Sequence, residues 1–248
     1  MSTATRYVEF EGSRNFRDMG GIATATGITR RGVLYRSDRL SNLTVQDHRS
    51  LSDLGITTVF DMRVDEERAK APNCLPSDPQ LAQITHAFLP RHTHLMFERI
   101  RAGSLDPNAA FDAMLEQYRA LATDHTVDYL AIINDILAHS DSPSVFHCTS
   151  GKDRTGMIAA ILLLAIDAST ADIVQDYVMT EGRIEKVDLF TDGTDPQIID
   201  VLMAANPRYI QTAIAEMVAA YGSTQSYLEE GIGITAEMRQ SLRSLLVE

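Results

Sequence analysis

The chain is short of several things, and each shortage excludes something. Its 248 residues hold only two cysteines, Cys74 and Cys148, which rules out a disulfide framework and suits a reducing compartment. No apolar run approaches the ~20 residues that a membrane-spanning helix needs. The most apolar stretch, Met157 to Ile166, is about half that length. Met1 to Arg14 lacks the apolar core of a signal peptide, so the expected location is cytoplasmic. No Pro/Gly/Ser-rich linker, repeat or low-complexity tract divides the sequence, and a single domain over 1–248 is expected. Basic residues are outnumbered, 22 against 34, for a formal net charge of −12. A surface so acidic repels nucleic acid and anionic membranes. Any site selecting an anion must therefore build its positive potential locally.

What is present reads as alternating strands and helices. Residues 33–36 (Val-Leu-Tyr-Arg) follow the turn glycines Gly20-Gly21 and Gly27 as a strand. Thr44 caps a helix that Gly55 ends, and the β-branched run Ile56 to Phe60 makes the next strand, delivering Asp61-Met62-Arg63 at its carboxyl end. Ile84 to Leu89 is a weaker strand. The stretch 93–122 reads as one or two helices broken at Gly103–Pro107, and apolar positions 127, 130, 133 and 137 share one helical face. Val145-Phe146-His147 is a short buried strand. Helices then follow at 155–166, after Ser169, from Asn206-Pro207 and from Thr235. The segment 181–196, with Asp188, Asp192 and Asp195, is expected to be mobile. The fold class is α/β: a short, mostly parallel central sheet flanked by helices, with a helical C-terminal part.

One run carries the chemistry: His147-Cys148-Thr149-Ser150-Gly151-Lys152-Asp153-Arg154-Thr155-Gly156. It stands where the last strand gives way to the long apolar helix. Free cysteine is mostly thiol at neutral pH, but a helix N-terminus, nearby cations and backbone N–H donors lower its pKa by several units. The loop 148–153 can curl so that successive N–H groups form an anion nest. Gly151 permits the backbone angles of that curl, and Arg154 can hold two phosphate oxygens with its fork. Thr149, Ser150, Gly151, Lys152, Asp153 and Arg154 are thus the candidate phosphate-binding positions. The reaction this suits is nucleophilic, through a cysteinyl-phosphate that water then hydrolyses. Thr155 can donate to the departing thiolate, His147 can orient the loop from behind, and Lys152 adds positive charge at the mouth. No cofactor and no metal is implied. Gly151-Lys152 before a helix is not a nucleotide-binding loop, because Asp153 stands where that motif needs Ser or Thr and the upstream glycine is missing.

A leaving oxygen must be protonated. The chain has no tryptophan, so it has no Trp-Pro-Asp acid loop of the kind found in animal tyrosine-specific enzymes. Asp153, in the loop, and Asp61, at a strand end, are the two candidate acids, and reach to the leaving group favours Asp153.

These residues resemble the Cys-x5-Arg protein phosphatases. The His-Cys-x-x-Gly-Lys-Asp-Arg-Thr-Gly form is similar to the bacterial tyrosine-phosphatase-like family that also acts on phosphoserine/threonine and phosphoinositides. Asn15-Phe16-Arg17-Asp18-Met19-Gly20-Gly21, Arg31 to Asp38, Phe60-Asp61-Met62-Arg63 with Glu66, and Tyr221-Gly222-Ser223 with Tyr227-Leu228 extend the resemblance over most of the chain. It departs at Met19 and Met62, where leucine is commoner. It implies a four- or five-stranded sheet of protein-tyrosine-phosphatase type, a loop aspartate as acid, helical lids in some members, and a phosphorylated protein or phosphoinositide as partner. No nucleic-acid partner and no stable membrane insertion is expected, and no pattern sets the oligomeric state.

Other residues have plainer readings. Cys74 is expected to be inert packing. His92 and His94 lack a third ligand and read as surface residues. Asp61-Arg63 is either a strand-end ion pair or support for the site. Asn15, Arg17 and Asp18, with Arg36 and Asp38, read as turn scaffolding, and the aspartates of 188–200 as a solvated face. Two alternatives to a phosphatase stand beside it. One is a thiol-based arsenate reductase, which needs a resolving cysteine. The other is a binding module that holds phosphorylated partners without turnover.

Overall fold

The structure is a computed structural model that describes residues 5–77, 80–184 and 193–248, the side chains of His92 and His94 excepted. Among the described residues five strands form one sheet in the order β1-β2-β5-β3-β4. They are β1 (Arg17–Asp18), β2 (Leu34–Ser37), β3 (Thr58–Asp61), β4 (Ala82–Thr85) and β5 (Ser144–His147). Only β1 is antiparallel to its neighbour. The sheet is mostly parallel, as expected, and β4 begins two residues before the predicted strand and ends well short of Leu89.

Side-chain alternation explains why helices cover both faces. On β5, Val145 joins Tyr35, Leu51 and Val59 in a smaller core, whereas Phe146 joins Leu34 and Phe60 in the larger one. A strand that buries successive residues on opposite faces needs cover on both. Helix α1 (Val45–Asp53) covers the smaller side. Its capping box is complete: Thr44 accepts from Asp47 N–H while the Asp47 carboxylate takes the Thr44 N–H, a reciprocal arrangement that fixes where a helix starts.

The larger side is built round α6 (Asp153–Ala165), which is buried from Arg154 to Ala165. A helix with no polar face belongs in the interior. Around it lie α3 (Arg91–Arg101), α4 (Pro107–Asp124), α5 (Thr126–Ala138), α7 (Thr170–Val178), α8 (Pro196–Met203) and α9 (Pro207–Tyr221). The chain finishes with α10 (Thr224–Ser226), a π-helical turn Tyr227–Ile232 and α11 (Ala236–Leu246). A short α2 (Asp65–Lys70) follows β3. Sequence periodicity does not reveal α2 or α8, since both are too short to show it. Among the described residues no helix is long and apolar enough to cross a membrane. Half of the segment expected to be mobile, including Asp188 and Asp192, lies outside the described residues, and Asp195 caps α8.

Register then fixes the site. His147 pairs with Ser37 on one side and with Asp61 on the other. Three parallel strands therefore end level, and the loop after β5 emerges at their carboxyl ends, where open α/β sheets place their ligands.

Candidate active site

The loop 148–152 is shaped by what captures its carbonyls. The Cys148 carbonyl accepts from His147 Nδ1 at 3.0 Å, and that of Thr149 from the Arg39 N–H at 3.0 Å. The Ser150 carbonyl takes Asn15 Nδ2 at 3.3 Å. The Gly151 carbonyl takes both Asn15 Nδ2, at 3.3 Å, and Arg36 Nη2, at 2.8 Å. Four successive carbonyls are thus tied to groups outside the loop, which leaves the intervening N–H groups free to converge as an anion nest. Gly151 has φ +68°. A Cβ there would lie 2.7 Å from both Asn15 Nδ2 and the Ser37 carbonyl oxygen, so the close approach needs glycine as much as the backbone angle does. No side chain caps α6, and its first N–H groups also stand available to an anion.

Cys148 is buried, and Thr155, one turn into α6, donates its hydroxyl to Cys148 Sγ at 3.1 Å. His147 is wholly buried, and burial pushes its pKa down to about 4 despite the opposing pull of Asp61. It is a neutral donor at neutral pH, tied to the loop through the Cys148 carbonyl. Arg154 is held rather than free. Its Nη1 reaches Glu67 Oε2 at 2.7 Å, its Nη2 reaches Glu67 Oε1 at 2.6 Å, and Nη1 also donates to the Met62 and Phe88 carbonyls. Burial pushes the Glu67 carboxyl up, but Arg154, Thr149 and the Val64 N–H outweigh it and hold it below its ordinary value. Thr149 itself donates to Glu67.

Three expectations need correction. Lys152 is not a free cation at the mouth: its ammonium donates to the carbonyls of Leu202 and Ala204 at the end of α8, and the side chain is almost fully enclosed. Helix C-terminal carbonyls attract a cation, and these draw Lys152 even though Asp153 Oδ1 lies 3.5 Å from its ammonium. Nor is Cys74 packing material: it is exposed, with its sulfur 4.0 Å from His48 Nε2. Asn15, Arg17 and Arg36 do more than scaffold a turn. Asn15 and Arg36 hold the loop, and Arg6, Arg17 and Arg36 converge on buried Asp176.

The two candidate acids part company. Asp61 is bound by Arg63 (Nη2 to Oδ2 2.7 Å, Nε to Oδ1 2.9 Å) and by Asn73, with His147 Nε2 3.6 Å away. Burial pushes its carboxyl up, but Arg63 and His147 prevail and hold it below its ordinary value. Asp153 instead lines a cavity of about 550 Å³ together with Thr149, Ser150, Lys152 and Arg154. Its Oδ1 accepts from the Tyr118 hydroxyl at 2.6 Å. The opposite wall is apolar, formed by Leu89, Met96 and Phe97 of α3 and its approach, with Leu202 and Met203 of α8.

Glu67, Asp176 and Tyr118 are the residues that motif reading misses. Asn15 and Arg36 stand in recognisable motifs, but only the structure shows that they hold the loop. Glu67 is one acidic residue among several in α2.

A buried thiol, next to a loop whose Thr149, Ser150, Lys152, Asp153 and Arg154 line an open cavity and whose arginine is clamped by Glu67, is an arrangement suited to a cysteine-dependent phosphatase. The sequence profile described as the tyrosine phosphatase family matches residues 8–248, and the chain belongs to that family. Relatives agree. The triple specificity protein phosphatase PtpB of Mycobacterium tuberculosis is 26% identical over 276 residues, covering 96% of this chain and 98% of that one. A tyrosine-protein phosphatase of Nostoc commune is 26% identical over 227 residues, covering 85% and 73%. A Cupriavidus necator protein provisionally named a tyrosine-protein phosphatase is 27% identical over 244 residues, covering 93% and 86%.

Proposed function

We propose that the chain, acting as one domain, hydrolyses phosphotyrosine with Cys148 as nucleophile and Asp153 as general acid. The observation that carries this is the Thr155 hydroxyl on Cys148 Sγ, at the base of a loop whose carbonyls are all turned outward. The thiolate attacks phosphorus while Asp153 gives its proton to the departing phenolic oxygen, and the P–O ester bond breaks. In the second step Asp153 takes a proton from water, the water oxygen bonds to phosphorus, and the S–P bond breaks. Thr155 donates to the thiolate as it leaves. Backbone N–H groups of 149–154 and the Arg154 guanidinium hold the equatorial oxygens, where the transition-state charge lies.

The cavity supports a wider range than phosphotyrosine alone. Its volume and apolar wall accept a bulky group behind the phosphate, so phosphoserine/threonine and phosphoinositide substrates belong to the proposal. PtpB, a relative over nearly its whole length, is named for triple specificity.

The test is turnover of p-nitrophenyl phosphate in the presence of a chelator, expected in the wild type and lost in Cys148→Ser. Chelator-resistant activity persisting in that variant would overturn the mechanism. Phosphopeptide binding of normal affinity without any hydrolysis would instead favour a binding module. Comparing a phosphotyrosine peptide, a phosphoserine peptide and a phosphoinositide then ranks the substrates.

A further inference from the structure

The loop aspartate is not left to orient itself. Tyr118, from α4, donates to Asp153 Oδ1 at 2.6 Å, and its oxygen lies 2.6 Å from the hydroxyl of Tyr177, from α7. Both tyrosines are buried. Neither hydroxyl is needed to fill space, and a buried hydroxyl costs free energy unless it is hydrogen-bonded. Tyr118 is gripped on both sides, stacked on Tyr209 (centroids 5.5 Å, 27°) and edge-on to Tyr177 (6.0 Å, 86°). The Tyr177 ring in turn closes on Gly156, where a Cβ would stand only 3.1 Å from it. The glycine that ends the loop motif therefore makes room for the second tyrosine.

A tyrosine has one proton to donate. Tyr118 spends it on Asp153 Oδ1, so between the two tyrosines the donor is Tyr177, and the chain runs Tyr177 to Tyr118 to Asp153. Tyr118 then has its favoured acceptor site filled. An acid proton on Oδ1 would have to share that oxygen with the Tyr118 donor and lie beside the Lys152 ammonium, 3.5 Å away, which disfavours it there. The proton is thereby directed to Oδ2, the oxygen that makes no hydrogen bond to the described residues.

We propose that Tyr118, backed by Tyr177, is a positioning residue that fixes the Asp153 carboxyl and sets which of its oxygens delivers the proton to the leaving group. The inference deepens the reading of Asp153 as general acid and rests on it. The other groups facing Asp153 are Lys152 and Arg154, its neighbours in the chain, with Tyr209 from α9. Lys152 Nζ stands 3.5 Å from Oδ1 while donating to the α8 carbonyls. Burial first, and then the charge of Asp153, push Tyr118 and Tyr177 well above the ordinary tyrosine range. Both therefore remain protonated wherever the enzyme works.

The experiment is Tyr118→Phe, which keeps the ring stack and removes the donor. A carboxylate that loses a donated hydrogen bond becomes easier to protonate, so the alkaline limb of the pH profile of kcat/KM should move up by about one pH unit. Turnover of phenyl phosphate, whose leaving group needs the proton, should fall roughly tenfold to a hundredfold. A substrate with an acidic leaving group should lose less than about threefold, as expected when little proton transfer is needed. Tyr177→Phe should give a smaller shift in the same direction. A Tyr118→Phe enzyme that loses all substrates equally, with the alkaline limb in place, would overturn the inference and leave only a packing role. Asp153→Asn separates the two levels of the argument. If its defect is the same for every leaving group, the acid reading itself falls. If its defect depends on the leaving group while that of Tyr118→Phe does not, only the present inference falls. In the Asp153→Asn background, Tyr118→Phe should add less than about twofold, because two groups acting through one proton are not additive. A full, independent loss there would also overturn the proposal.

Discussion

Replacing Asp176 with asparagine should be among the most damaging single changes outside the loop. Its two carboxylate oxygens meet Arg6 and Arg36, and Arg17 Nε lies 3.5 Å from Oδ1. Arg17 also donates to the Asp176 carbonyl at 3.0 Å. Arg17 and Arg36 are wholly buried and Arg6 nearly so, so three cations share one anion out of reach of water. Burial pushes the Asp176 carboxyl up, but Arg36, Arg17 and Arg6 prevail and hold it far below the ordinary carboxylate range. Removing one partner of a buried ion pair costs about 3–5 kcal/mol, because the other charge is left uncompensated. With three guanidiniums deprived, the upper end applies. In a domain of this size ~1 kcal/mol corresponds to roughly 2–4 °C in Tm, which puts the expected drop at roughly 10–20 °C. Asp65→Asn is the control. The Asp65 side chain is 87% exposed in its pair with Arg68, and loss of a surface pair costs at most about 1 kcal/mol.

Calorimetry of the three proteins at pH 7.5 makes the comparison, and the wild type is then followed towards low pH. The Asp176 carboxyl is depressed in the folded state, so its stabilisation is complete above the unfolded value near ~3.9. It is lost as the pH falls below that value towards the folded one. Wild-type stability should therefore drop steeply below about pH 4, and the asparagine variant should lack that component. A Tm within about 3 °C of the wild type, or no lower than that of Asp65→Asn, would refute the argument from buried charge.

Glu67→Gln removes one of the two charge-assisted bonds that aim Arg154, and kcat/KM should fall roughly 10- to 100-fold. Inhibition by vanadate should weaken in parallel, and an unchanged inhibition constant would show that Arg154 needs no clamp. Gly151→Ala places a Cβ 2.7 Å from Asn15 Nδ2 and from the Ser37 carbonyl at a residue with φ +68°. The strain is about 1–3 kcal/mol, and p-nitrophenyl phosphate turnover should fall by about two orders of magnitude as the nest distorts. A wild-type kcat would show that the loop tolerates a side chain there.

Much of this was legible without coordinates. The Thr44, Ser169, Asn206 and Thr235 caps each start a helix where the sequence places it. Capping depends on residues three apart, and such neighbours are already together in the chain. The same holds for the loop. The spacing of Cys148, Gly151 and Arg154 at a strand-to-helix junction implies an oxyanion facing a thiol, because the backbone of a tight turn allows few other arrangements. Short elements escaped: α2 and β1 carry too little periodicity to read.

The sequence by itself thus determined the kind of reaction and the sheet's parallel character, and it singled out Cys148 as the candidate nucleophile. Tertiary structure decided how that residue is supported. Arg154 and Glu67 are 87 residues apart, Arg36 and Gly151 are 115 apart, and Tyr118 meets Asp153 across 35. None of these pairs is implied by local spacing: the first two form only when the register of β2, β3 and β5 brings three strand ends level, and the third only when α4 packs on α6. Lys152 shows the converse. By composition it is a cation at the mouth, yet the end of α8 offers it carbonyls that its own loop has turned elsewhere. A charged side chain goes to the acceptors that the fold leaves open, and only the assembled fold decides which those are.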